Sequence, residues 1–188
     1  MTNGNFEIIE ENIKRYKYLN DLLNALQYEL DGNAQMLKSA RKNGVSLHAR
    51  NDEISDLNEK RNVLKDKISE TKKQIKQIYS ITEQLIFNGI RTKYSEVYEK
   101  QLSRLYGYNI DVLIKKPGDY YDEETCLATL IMATRNRAQH KKIVKMVDFG
   151  IRDAQKHFTE RKVRVEVCIF SKKHKAGEVI PFDTELIK

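Results

Sequence analysis

The stretch VRVEVCIF, residues 163–170, has the clearest strand pattern in this chain. β-Branched residues alternate here with charged or small ones, which is typical of a strand that buries one face; the apolar set is Val163, Val165, Val167 and Ile169. A shorter return strand is predicted in EVIPF, residues 178–182, where Pro181 fits a sheet edge or a strand end. Together they predict a β-hairpin whose tip carries Lys172, Lys173, His174 and Lys175.

Two helices are predicted before this hairpin. The acids at 122–124 would complement the dipole at the start of a helix that carries Cys126, Leu127, Leu130 and Ile131. A second helix is expected over about 139–158, because at 100° per residue its apolar and basic side chains collect on opposite faces. The apolar set is Val144, Val147, Ile151, Ala154 and Phe158, and the basic set is Lys141, Lys142, Lys145, Arg152 and Lys156. A short strand is predicted in NIDVLI, residues 109–114.

The order helix, helix, hairpin resembles the arrangement of a winged helix-turn-helix domain. In such a domain a helix enters the major groove of DNA, and the wing contacts the phosphate backbone. The resemblance implies that the lysines at the hairpin tip contact phosphate.

The first hundred residues have the apolar periodicity of two long helices. From Phe6 to about Lys42 apolar residues recur at steps of three and four; residues 31–33 (DGN) weaken the pattern, and Asn43-Gly44 predicts a stop. A second helix is expected from Asn51 or Ser55. It follows an a/d heptad register over about five heptads, with Arg61, Thr71 and Thr82 as polar exceptions. The apolar heptad positions are Ile54, Leu57, Leu64, Ile68, Ile75, Ile78 and Leu85.

These patterns predict a mainly α protein with two domains. A long antiparallel helical hairpin or coiled coil would occupy residues 1–105, and a small basic α+β domain would occupy residues 106–188. Each long helix could instead pair with its copy in another chain. Because a narrow stripe without a third helix is left uncovered, we expect a homodimer through the heptad residues. No run of about 18 apolar residues exists, so no membrane span is predicted.

Positive charge is concentrated in one part of the chain. Residues 135–175 contain 13 Lys and Arg against four acids, whereas residues 1–134 contain 20 of each sign. Clustered cations favour a polyanionic partner. We therefore predict a non-enzymatic protein that self-associates through its coiled coil and contacts phosphates of DNA or RNA with its C-terminal domain. The candidate contacts are Arg135, Arg137, Lys141, Lys142, Lys145, Arg152, Lys156, Arg164, Lys172, Lys173 and Lys175.

The alternative function is a structural or adaptor subunit, whose coiled-coil stalk carries a domain that docks on an acidic protein surface. Sequence motifs of nucleotide-binding loops and nucleophilic enzymes are missing. A metal-dependent nuclease would need clustered carboxylates. The acids of DYYDEE, residues 119–124, with Glu166 are the candidates, but capping a helix is their favoured role. His140 is expected to be a packed or capping histidine.

The two cysteines, Cys126 and Cys168, lie among apolar neighbours. We expect two reduced, packed thiols and an intracellular location, in the cytoplasm, the nucleoid or the nucleus. No Cys/His spacing matches a zinc site, so no metal or other cofactor is predicted.

Overall fold

The computed structural model describes residues 3–42, 47–93 and 96–181, and the chain divides into two compact units, Met1–Leu85 and Ile86–Lys188. In the described residues three helices come first, followed by seven strands. The helices are α1 (Asn3–Lys42), α2 (Leu47–Thr92) and α3 (Glu96–Tyr106). The strands are β1 (Ile110–Leu113), β2 (Cys126–Thr134), β3 (Lys142–Asp148), β4 (Gly150–Asp153), β5 (Thr159–Arg161), β6 (Val163–Phe170) and β7 (Val179–Ile180). The chain is therefore helical first and mixed α+β afterwards, as predicted.

The two predicted long helices are confirmed, with different ends. Helix α1 continues through residues 31–33 without a break. Helix α2 begins at Leu47, before either predicted cap, and ends at Thr92, so that α3 is a separate helix. The predicted stop at Asn43-Gly44 lies outside the described residues. The end of α2 and the whole of α3 belong to the second unit, rather than to the helical part expected over 1–105.

Helices α1 and α2 form an antiparallel pair within one chain. The rings of Tyr16 and Tyr79 lie 5.7 Å apart. Further along, Lys60 Nζ lies 2.9 Å from a carboxylate oxygen of Glu29. Near the connected ends, the buried Asn33 donates from Nδ2 to the carbonyl of Leu57 at 3.1 Å. As the contacting residues of α1 rise in number from 16 to 33, their partners in α2 fall from 79 to 57. The predicted antiparallel hairpin therefore forms within the chain.

The heptad positions of α2 face into this hairpin. Leu64 and Ile68 are buried, and the other apolar positions, Ile54, Leu57, Ile75, Ile78 and Leu85, are half-buried. The polar exceptions Thr71 and Thr82 are buried as well. Each hydroxyl is satisfied there, because it donates to the carbonyl four residues earlier in its own helix. Among the described helices, none combines the length and the apolar content that crossing a membrane requires.

The strands form two sheets. The three-stranded sheet has the order β1-β4-β5 and is antiparallel. The four-stranded sheet has the order β3-β6-β2-β7, in which β6 is antiparallel to β3 but parallel to β2, and β7 is antiparallel to β2. The predicted strands within 109–114 and 163–170 are confirmed as β1 and β6.

Both helices predicted over 122–158 are wrong, because these residues form β2, β3 and β4. The cause is a set of β-bulges that add an unpaired residue. Strand β3 has such shifts at Val144 and Val147, and β2 has one at Thr129. Each bulge turns the strand step of two into a step of three, which imitates the helical period. The face of cations that rested on a helix over 139–158 does not exist, and neither do the two helices of the winged-helix arrangement.

The predicted hairpin is also wrong, although both of its strands exist. The return strand β7 pairs with β2, through Ile131 with Ile180 and Met132 with Val179. Strand β2 pairs in parallel with β6 along nearly its whole length and therefore separates β6 from β7, so the two predicted strands are not neighbours. Phe182, the last residue of the predicted return strand, lies outside the described residues.

The core of the four-stranded sheet lies on one face. On β6 the side chains of Val163, Val165 and Val167 are fully buried, as the alternation predicts. They pack with buried residues of the neighbouring strands, which are Cys126, Ala128, Ile131, Ala133, Ile143 and Ile180. The opposite face, which carries Lys142, Lys145, Arg164 and Cys168, is called the outer face below.

A buried carboxylate joins the last turns of α2, which belong to the second unit, to the strands of that unit. Asp148, at the end of β3, is 7% exposed and accepts from Arg91 Nε at 3.0 Å and from Arg91 Nη2 at 2.8 Å. Arg161 of β5 also donates to it. The guanidinium of Arg161 lies over the rings of Phe87 and Phe149, which contact each other edge to face. Two cations around one anion satisfy the buried charge, which would otherwise be very costly.

We expect Asp148→Asn to destabilise the second unit at neutral pH. Burial raises the pKa of Asp148, but the hydrogen bond from Arg91 and the charges of Arg161 and Arg91 lower it further, so that the net shift is downward. The carboxylate therefore stabilises the fold above the pKa of an unfolded aspartate, and this contribution is lost as pH falls through the lower folded value. We expect a loss of about 1–3 kcal/mol, less than for a fully buried pair because both arginines are partly exposed.

The measurement is the free energy of unfolding in urea, at neutral pH and at pH values below about 4. The difference between the wild type and Asp148→Asn should shrink as the pH falls. A loss of equal size at all pH values would contradict an electrostatic role for Asp148.

Candidate phosphate-binding edge

The parallel pairing of β2 and β6 brings two basic loops together. The carboxyl ends of parallel strands meet at the same edge of a sheet, and here Thr134 is the register partner of Phe170. The loop after β2 contains Arg135, Arg137 and Lys141. The loop after β6 contains Lys172, Lys173 and Lys175. These six cations are called the carboxyl edge below.

Hydrogen bonds hold the two loops side by side. Arg135 donates from Nη1 to the carbonyl of Lys172 at 2.8 Å. The Ser171 N–H donates to the carbonyl of Thr134 at 3.1 Å, and the Gly177 N–H donates to the carbonyl of Ala133 at 2.9 Å. The cations that are about forty residues apart in sequence therefore belong to one ordered surface.

The loop after β2 is shaped by caps. The Asn136 side chain accepts from the Ala138 N–H at 3.0 Å and so begins a short 3-10 helix, Arg137–Gln139. His140 is exposed, and its Nδ1 accepts from the Phe170 N–H at 3.2 Å; the helix on which its packed or capping role was predicted does not form. The Lys141 N–H donates to the carbonyl of Cys168. Lys141 has a φ of 57°, a left-handed conformation that is unfavourable for a residue with a side chain.

The loop after β6 turns around two side-chain acceptors. The Ser171 hydroxyl accepts from the N–H groups of Lys173 and His174. Glu178 accepts from the Lys175 N–H at 2.7 Å, and its other carboxylate oxygen lies 3.3 Å from His174 Nδ1. The pKa of Glu178 is lowered, first by the Lys175 N–H and then by His174. The one acid of this loop thus bonds within the turn, while the side chains of Lys172, Lys173 and Lys175 are exposed.

The other predicted contacts divide into two groups. Lys142, Lys145 and Arg164 lie on the outer face; Lys142 is the nearest of them to the carboxyl edge, whereas Arg164 lies at the opposite end of β6. Arg152 and Lys156 do not join them. Arg152 lies on β4 and donates to Asp111 at 2.9 Å, and Lys156 Nζ lies 3.8 Å from a carboxylate oxygen of Asp153. In the described ranges, by contrast, no carboxylate lies within 4 Å of the ammonium groups of the three lysines after β6.

Two aromatic side chains were missed by the sequence reasoning. The Arg137 guanidinium lies 5.3 Å from the centre of the Phe170 ring, and Lys142 Nζ lies 5.4 Å from the centre of the Tyr120 ring. Phe170 is the last residue of the alternating stretch, and the alternation places it on the same face as Cys168. Tyr120 gave no signal, because it joins β3 through an isolated bridge to Lys142.

The acidic stretch 119–124 caps turns instead of a helix. Asp122 accepts from the Thr125 hydroxyl at 2.6 Å and from the Glu124 N–H at 3.0 Å, and these bonds, in that order, lower its pKa. Asp119 accepts from the Lys116 N–H. Over the ranges that the structure covers, no group of three or more His, Cys, Asp and Glu side chains could hold a metal ion.

Both cysteines are free thiols. Cys126 is buried in the core of the four-stranded sheet, whereas Cys168 is half-buried on the outer face. Burial raises the pKa of Cys168, so its thiol is a poorer nucleophile than an ordinary one at neutral pH. The position of Cys126 agrees with the predicted packed thiol, whereas Cys168 is only half-buried.

No protein family, curated protein or solved structure matches this chain.

The backbone of Lys141 gives a test of the loop geometry. We expect Lys141→Gly to be more stable than Lys141→Ala by about 1 kcal/mol, because glycine adopts a positive φ without a steric clash. Both variants lose the same charge, so their difference in free energy of unfolding reports the backbone alone. An alanine variant as stable as the glycine variant would contradict the left-handed conformation at this position.

Proposed function

We propose that this protein binds nucleic acid by contacting phosphates with its carboxyl edge. The observation that carries the proposal is the parallel pairing of β2 and β6, which places six cations from two loops on one surface. Cations held at short range repel one another unless an anion neutralises them. A chain of phosphates supplies repeated negative charge and releases counterions when it binds.

The way in which the cations are presented favours contacts to the backbone over the reading of bases. They lie in loops and in one short 3-10 helix, and within the described residues no α-helix carries them. Lysine ammonium groups act as mobile point charges, whereas an arginine presents a planar fork that fits a phosphate. Contacts of this kind position a nucleic acid without selecting its sequence. A reducing, intracellular compartment fits both this partner and the two free thiols.

A second candidate function is an adaptor whose helical hairpin docks on another protein. The observation in its favour is a set of exposed apolar side chains on α1, among them Tyr18, Tyr28 and Met36. In that function the carboxyl edge would bind an acidic protein surface instead of phosphates.

Charge reversal in the loop after β6 tests the first proposal. We expect K172E/K173E/K175E to weaken binding of DNA and RNA of any sequence, because three phosphate contacts become repulsive. The slope of log K against log salt should fall by about 2–3. Fluorescence anisotropy with labelled oligonucleotides across a salt series gives both quantities.

The matched control is K72E/K73E/K76E on α2, whose three lysines are exposed and whose net charge changes by the same amount. This control should bind almost as the wild type does. Equal losses in the two triple variants would mean that overall charge, and not the carboxyl edge, governs binding. Polyglutamate that competes as well as DNA at equal charge would favour the adaptor function.

We further propose that two copies associate through the half-buried heptad positions of α2. Two helices cover Leu64 and Ile68 but leave the ends of the stripe partly open, at Ile54, Leu57, Ile75, Ile78 and Leu85. A second hairpin could cover these positions, as in a four-helix bundle. Light scattering should give twice the chain mass of 22.1 kDa. A monomer at every concentration would rule out this association.

A further inference from the structure

We propose that the outer face of the four-stranded sheet is a platform for single-stranded nucleic acid, with bases stacked on its aromatic rings. This inference rests on the proposed function and adds the form of nucleic acid that is bound. One row across this face is formed by register partners, which are Tyr120, Lys142, Cys168, Met132 and Val179. Both ends of the row are open, with Tyr120 66% exposed and Val179 57% exposed.

An open face is unusual for strands paired in this way. Parallel strands normally have both faces covered, because helices pack on each side. Here β2 and β6 are parallel, yet Leu127 on β2 is 47% exposed and Arg164, its partner on β6, is exposed as well. The amino end of the outer face is therefore exposed and partly apolar, whereas the row toward the carboxyl end is half-buried at Lys142, Cys168 and Met132 and open at Tyr120 and Val179.

The aromatic rings of this face are paired with cations. Lys142 lies over Tyr120, and Arg137 lies over Phe170. With strands about 4.8 Å apart and residues about 3.3 Å apart along them, the backbone positions of Tyr120 and Phe170 are roughly 12 Å from each other. Each ring can stack on a base while its cation lies near the adjoining phosphate, which is how sequence-tolerant single-strand sites bind.

The outer face and the carboxyl edge are continuous. Phe170 ends β6, and the basic loop begins at the next residue but one, with Lys172. Arg137 belongs to the carboxyl edge and also contacts the Phe170 ring. A single strand that lies on the outer face therefore extends directly into the six cations.

The charge of the outer face decides between this ligand and a second copy of the chain. Lys142, Lys145 and Arg164 lie on it, against the single half-buried Glu166 and the buried Asp148, which is already bonded to two arginines. Two such faces placed together would bring like charges into contact. A polyanion with exposed bases complements both the charge and the apolar rings, whereas a duplex keeps its bases stacked inside and leaves the rings unused.

The test compares a single-stranded oligothymidylate with a duplex of equal length, by fluorescence anisotropy on the full chain. We expect the single strand to bind more tightly, by about tenfold. Tyr120→Ala should weaken single-strand binding by roughly five- to tenfold and leave both its salt slope and the duplex binding unchanged. Tyr120→Phe, which keeps the aromatic ring, should bind the single strand with the wild-type affinity. The control is Tyr28→Ala, a tyrosine 83% exposed on α1.

A loss of stability would not explain the result, because the Tyr120 ring is largely exposed. Phe170→Leu keeps the apolar packing but removes the ring, and it should likewise weaken single-strand binding while leaving duplex binding as it is. If single strand and duplex bind equally and Tyr120→Ala binds both as the wild type does, this inference is overturned while the phosphate contacts stand. If K172E/K173E/K175E binds both as well as the wild type does, the proposed function fails, and this inference fails with it.

Discussion

The parallel pairing of β2 with β6 is the constraint on which the C-terminal unit depends. Since the two strands point the same way, the chain between them, residues 135–162, must return to the opposite edge, and it forms β3, β4 and β5 on the way. Strand β6 is then enclosed by β2 and β3, which explains why its three valines are fully buried. The last strand, β7, pairs with the open side of β2 instead of with β6.

How far the sequence predicts each strand depends on its bulges. Strand β6 alternates without interruption through Phe170, and its location and buried face could be predicted. In β3 the core residues Ile143 and Met146 are three apart because Val144 is an extra residue, and this spacing is the one that a helix would show. The long helices were predictable for the opposite reason, because their apolar steps of three and four persist over many turns, so that one local irregularity does not obscure the pattern.

The positive charges of residues 135–175 could be counted from the sequence, but the sequence did not show which of them form ion pairs within the fold. Arg161 binds the buried Asp148, together with Arg91, and Arg152 binds Asp111, from which it is 41 positions distant. These cations stabilise the fold and are committed to it. The cations of the two loops lie at an edge where the neighbouring acid, Glu178, is engaged with backbone and histidine. Only the strand order separates the charges that stabilise the fold from those of the two loops.

The hydrogen-bonded loops of the carboxyl edge affect the entropy that would be lost when a ligand binds there. Asn136, Ser171 and Glu178 fix the loop backbones through side-chain hydrogen bonds, so little backbone entropy remains to be lost on binding. Arg135 is held by the carbonyl of Lys172, and Arg137 is held over the Phe170 ring. Two guanidinium groups are thus positioned in advance, while the three lysines after β6 are exposed. Under the proposed function, the arginines would set where a phosphate chain lies, and the lysines would adjust to any sequence.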